Sequence, residues 1–114
     1  MEVKRVLLAD DDIDLRDAYV YLLESHGYEV IAAVNGLDAL RYCNHSQIDV
    51  AILANQMPHM NGVDVCAEVS AFLPVIIWSG EDCAKEAIAS GAMRFISKDR
   101  ASIESILCAL TEIG

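Results

Sequence analysis

The sequence predicts an α/β fold in which a parallel sheet is covered on both faces, and three observations carry that prediction. Five short apolar, β-branched runs recur along the chain, segments with helical spacing lie between them, and the runs are near-continuous rather than alternating in polarity. A strand followed by a crossover helix returns in the same direction, so the alternation implies parallel strands. Strands that are apolar on both sides imply burial on both faces. The 114 residues are enough for one domain, over 1–114, that buries its own core.

Each element follows from its local pattern. Val6–Ala9 is the first strand. Leu15, Ala18, Tyr19, Leu22 and Leu23 then recur at i, i+3, i+4, i+7 and i+8, a helix that stops at His26-Gly27. Val30–Val34 is the second strand, and after Asn35-Gly36 the residues Leu37 and Leu40 fall on one helix face. Val50–Leu53 is the third strand, followed by a short helix through Val63, Cys66 and Ala67. Val75–Trp78 is the fourth, followed by a helix through Ala84, Ala87 and Ile88 that Gly91 ends. Phe95–Ile96 is the fifth, and Ile103, Ile106, Leu107 and Leu110 give the last helix. No linker-like or repeated segment interrupts this order, so the chain reads as a free-standing domain or as one domain of a longer chain.

Composition narrows the partners. Hydrophobic residues make up 54% of the chain, which excludes intrinsic disorder. Eight Lys and Arg stand against 18 Asp and Glu, a net charge of −10, which argues against nucleic acid or an anionic membrane as partner. The longest apolar stretches, Val50–Ala54 and Val75–Trp78, are far short of the roughly 20 residues of a membrane-spanning helix. The start, Met-Glu-Val-Lys-Arg, lacks the apolar core of a signal peptide. Cytoplasmic location is therefore expected. Cysteines at 43, 66, 83 and 108 form no Cys-x-x-Cys pair and read as buried, reduced thiols rather than as a disulfide or zinc site. The histidines at 26, 45 and 59 follow no metal-ligand spacing.

Ligands of open parallel sheets bind at the carboxyl ends of the strands. Asp10, Asp11 and Asp12 follow the first strand, Ala54 to Pro58 the third, Ser79-Gly80 the fourth and Ser97-Lys98 the fifth. Three adjacent carboxylates repel one another and suit a hard cation such as Mg2+. Asp12 and Asp14 read instead as helix-capping residues. Asp10 and Asp11, with Ser79 and Lys98, make a phosphoryl-binding arrangement: cations neutralise charge and the hydroxyl donates a hydrogen bond. A small nucleotide- or flavin-binding protein is the alternative. It would need a glycine-rich loop after the first strand, where this chain has three Asp. No Ser/His/Asp or Cys/His set points to a hydrolase, and no enzymatic activity is expected.

The strings Val6-Leu7-Leu8-Ala9-Asp10-Asp11-Asp12, Gly27-Tyr28-Glu29-Val30 and Met57-Pro58-His59-Met60-Asn61-Gly62 resemble the receiver domain of bacterial response regulators. Ile76-Ile77-Trp78-Ser79-Gly80, Ser90-Gly91-Ala92 and Phe95-Ile96-Ser97-Lys98 agree with it in order and spacing, so the resemblance covers essentially the whole chain. It implies a flavodoxin-like (βα)5 sheet of order 2-1-3-4-5 and a role in two-component signalling. It also implies an acceptor Asp at the end of the third strand, four residues before the Pro of Met-Pro. That position is Ala54. A methyl group forms no acyl phosphate, and Asn55 cannot replace the carboxylate, because its side chain points to the opposite face and an amide is a poor nucleophile. A natural receiver that has lost its acceptor and a deliberate Asp→Ala replacement both fit.

By the same resemblance, Asp10, Asp11 and the Asn55 backbone carbonyl are the remaining ligands of a weakened Mg2+ site. Ser79 is the hydroxyl that follows the phosphoryl group. Phe95 is the aromatic switch residue, with plain packing as its other reading. Lys98, left without its usual partner, is expected to pair with Asp10 or Asp11. Asp99 departs from the family, which has Pro after that Lys. Implied partners are a histidine kinase or phosphotransfer protein, an output domain, or a second copy through the surface of the fourth helix, fifth strand and fifth helix, roughly Glu81–Thr111.

Overall fold

A computed structural model of the chain describes residues 3–98 and 103–113; Asp99 lies outside the described residues. The elements run β1 (Arg5–Ala9), α1 (Ile13–Ser25), β2 (Glu29–Ala33), α2 (Gly36–His45), β3 (Val50–Ala54), α3 (Gly62–Val69), β4 (Val75–Ser79), α4 (Ala84–Ala89), β5 (Arg94–Ser97) and α5 (Ile103–Ile113). All five strands are parallel, in the order β2-β1-β3-β4-β5. Helices α1 and α5 pack together on one face of the sheet, and α2, α3 and α4 follow one another across the other.

Burial grades from the middle of the sheet outward. Every residue of β3 and β4 is buried, as are Val6 to Ala9 of β1. Strand β2 lies at an edge: Glu29 and Ala32 are exposed, and only Ala33 is buried. Expected burial on both faces thus holds for the central strands and fails at the edges, where a strand has one neighbour. Val34, read as part of the second strand, lies past its end and is exposed.

The helices begin where their sequence signals stand. Asp12 caps α1, its Oδ1 accepting the Leu15 N–H at 3.2 Å. Asn35 caps α2, its Oδ1 accepting the Asp38 N–H at 2.7 Å. The buried stripe of α2 is Gly36, Ala39 and Cys43, so Leu37, expected to share an apolar face with Leu40, is turned outward instead. Gly36 explains the shift: a Cβ there would overlap the Met60 carbonyl, so the α2 N-terminus presses directly on the β3–α3 loop. In α4 only Ala87 is buried, and Ile88 faces out. At the other end of the sheet, the N–H groups of Arg5 and Lys4 donate to the Asp49 carboxylate and hold its pKa below the ordinary value.

Three cysteines are buried and one is not. Burial pushes the Cys43 thiol up to about 11 and raises Cys66 and Cys83 as well, which leaves little thiolate at neutral pH. Cys108 corrects the expectation of four buried thiols: it lies on the outer side of α5. Thiol titration of the native protein is expected to modify Cys108 at once and the other three only on unfolding. A second fast-reacting thiol in the folded protein would contradict this packing.

Candidate functional site

Strand register decides which side chains can meet at the C-terminal edge of the sheet. Ala54 stands level with Trp78, and Trp78 with Ile96. Ala9 is level with Leu53, so Asp10, the next residue, comes beside Ala54. Residues level in a parallel ladder project to one side. The ring of Trp78 lies 5.0 Å from that of Tyr19 on α1, so Asp10, Ala54, Trp78 and Ile96 form a row on the α1/α5 face.

Asp10 is held on all sides. Its N–H donates to the Ala33 carbonyl at 3.2 Å, its Oδ1 accepts the Asp12 N–H at 3.0 Å, and its carbonyl accepts Arg16 Nη1 at 3.0 Å. The Lys98 ammonium stands 2.7 Å from Oδ2 of this carboxylate, whose side chain is 1% exposed. The ammonium approaches off the hydrogen-bond axis, so the contact is chiefly Coulombic. The same ammonium lies 5.1 Å from the centroid of the Trp78 ring, within reach of a cation–π attraction. Trp78 is fully buried, and its indole N–H has no acceptor among the described residues. Lys98, just past the end of the edge strand β5, thus reaches across Trp78 to the far side of Ala54.

Of the other residues singled out in the sequence, Ser79 touches this pair only through its backbone, its carbonyl accepting the Lys98 N–H at 2.8 Å. Asp11 is exposed and makes no ion pair or side-chain hydrogen bond among the described residues. Ser79 is buried, but its Oγ accepts the Glu81 N–H at 3.1 Å and so serves the β4–α4 turn. Asn55 closes the β3–α3 loop: its carbonyl accepts the Gly62 N–H at 2.8 Å, and its Oδ1 accepts the Val63 N–H at 3.2 Å. Gln56 joins this loop to the next through Glu81, at 2.9 Å. Phe95 is half-buried in a groove of about 330 Å³ between β5 and α5, beside Ser105, Cys108 and Ala109. At that groove Arg94 pairs with Glu112.

A Mg2+ ion needs several oxygen donors free at once. Here the Lys98 ammonium occupies Asp10 Oδ2, a backbone amide occupies Oδ1, and the Asn55 carbonyl is engaged by Gly62. No group of three or more His, Cys, Asp or Glu among the described residues is arranged to hold a metal ion. The residues as they stand are not pre-arranged for the ion, which could seat only once Lys98 leaves Asp10.

The model of the response regulator receiver domain matches residues 6–110. The chain belongs to that family. This receiver is 34% identical over 99 residues to the transcriptional regulatory protein ZraR of Klebsiella oxytoca, a match over 82% of this chain and 22% of that protein. Indeed the chain spans less than half the length of the curated relatives it matches. The Francisella response regulator 1452 receiver domain superposes with a TM-score of 0.90 at 26% identity, over 96% of this chain and 95% of that one. TrrA of Thermotoga maritima, solved with Mg2+ and BeF, shares the fold at a TM-score of 0.88 and 23% identity, over 97% and 99% of the two chains. Membership of the receiver family decides against the nucleotide- or flavin-binding alternative. No helix among the described residues is long and apolar enough to cross a membrane.

Two residues of the site were not singled out from the sequence. Arg16 is nearly buried and braces Asp10 through its guanidinium; an Arg six residues after the acid, early in the first helix, was the available signal. The sequence places Trp78 in an apolar strand and in the string Ile76-Ile77-Trp78-Ser79-Gly80 but gives it no role of its own. Its place beside Ala54 emerges once the register of β3 and β4 is known.

Proposed function

We propose that residues 1–114 form a single receiver domain that acts by protein contact in two-component signalling and takes no phosphoryl group at residue 54. The observation that carries this reading is Ala54 at the end of β3, with Lys98 on the carboxylate of Asp10. The reaction would need a carboxylate nucleophile at that strand end, and a methyl group offers none. Asp10, Asp11 and the Asn55 carbonyl remain as the residues of a Mg2+ site, which binds weakly at most, because the ion must displace an ammonium already seated there. Ser79 and Lys98 are the remnant of the phosphoryl pocket, and Phe95 is the aromatic of the switch. The domain is not an enzyme and works in the cytoplasm.

Contact with a partner runs through α4, β5 and α5. Ile88 and Met93 are exposed there, 54% and 55%, beside the groove that holds Phe95. A histidine kinase or phosphotransfer protein, an output domain, or a second copy of the chain is the partner. The direct test is to incubate the protein with Mg2+ and a small phosphoryl donor and weigh it. The mass is expected to stay unchanged. A stable gain of one phosphoryl group, mapped to Asp10, Asp11 or Asp12, would overturn the proposal.

A further inference from the structure

We infer that Trp78 is the seat of an internal lock: its buried indole, level with Ala54, carries the Lys98 ammonium to Asp10 and closes the pocket to Mg2+ and phosphate. The inference rests on the reading of Ala54 given above and adds a second residue to it. Three independent observations meet at this indole. Register makes Trp78 the direct β4 neighbour of Ala54 on the same face, so the chain's single Trp is paired with one of its smallest residues. The ring is fully buried and braced by Tyr19 from α1, which leaves it little freedom to move. Lys98 lies 5.1 Å from its centroid and 2.7 Å from Asp10, so one ammonium answers both the indole face and the carboxylate.

The indole N–H has no acceptor among the described residues although it is buried. Hydrogen bonding therefore does not account for Trp at this position; its volume and its flat electron-rich face do. Interiors are close-packed, and a large side chain beside a small one fills the space that both share. Returning a carboxylate to position 54 consequently does not reopen the site. The new charge would lie against the indole, while the cation that should meet it is held by Asp10.

The test compares the unaltered chain, Ala54→Asp, and Ala54→Asp with Trp78→Leu, each titrated calorimetrically with Mg2+ plus beryllofluoride, a phosphoryl mimic that binds carboxylates. Ala54→Asp alone is expected to bind no better than the unaltered chain. Adding Trp78→Leu is expected to tighten binding at least ~10-fold over Ala54→Asp. With Trp78→Phe in place of Trp78→Leu, the flat face persists and binding is expected to stay weak. Should Trp78→Leu unfold the chain, Trp78→Met takes its place. Binding by Ala54→Asp alone as tight as by the double variant overturns the lock, and so does a folded double variant that stays silent. Failure here is distinct from failure of the proposed function, which a phosphoryl gain by the unaltered chain would reveal.

Discussion

Lys98→Met is expected to destabilise the protein by about 3 kcal/mol, because it strands a carboxylate that cannot reach water. Asp10 is 1% exposed on its side chain, and among the described residues its Oδ2 meets no cation or donor but Lys98. The reverse change should be milder. Asp10→Asn keeps an oxygen for the Asp12 N–H, and the Lys98 side chain, 24% exposed, can turn its ammonium outward to solvent. A loss of about 1 kcal/mol is expected for it. Urea unfolding of both variants and of the double variant measures the difference and the coupling. Equal losses from the two single changes would show that the pair is not buried in the way described.

Gly62→Ala is expected to cost about 3 kcal/mol, from overlap rather than from lost contacts. A Cβ on Gly62 would intrude on the carbonyl oxygen of Ala54 and crowd the backbone of Asn55. Neither obstacle is the yielding tip of a side chain; both belong to the end of β3 and the loop that follows. The Gly62 N–H also donates to Asn55 at 2.8 Å, so α3 has to back away from a bond that closes the loop. Gly80→Ala is a fair control, since a Cβ there meets nothing within 4 Å. Thermal unfolding of the two variants compares them, and similar midpoints would refute the argument.

The fold was legible because parallel strands buried on both sides leave a distinctive mark, a run of apolar residues with no polar beat. Val50–Leu53 and Val75–Trp78 carry it fully, and they lie at the centre of the sheet. The reading weakened where burial did: Val34 lies past an edge strand, while Leu37 and Ile88 sit on helices whose buried stripes are made of smaller residues. Periodicity counts apolar residues and does not see that a Gly or Ala is inside because only it fits. At the site, the acid and the base were legible from their places after strands, but their company was not. Asp11 shares the edge with Asp10 and Lys98 without joining them, and Ser79 meets Lys98 through its carbonyl while its hydroxyl serves the next turn. Trp78 joins them through a register that local pattern cannot supply, since it depends on how β3 and β4 align.

The ammonium on Asp10 also bears on time. An acyl phosphate is a consumable mark: water removes it, and its hydrolysis sets how long a message lasts. Lys98 is bonded to the chain through its own backbone and cannot be hydrolysed away. On the proposed reading, this receiver keeps no clock of its own. The duration of whatever it conveys is set from outside, by how long its partner stays bound and how fast the cell makes and degrades the two proteins.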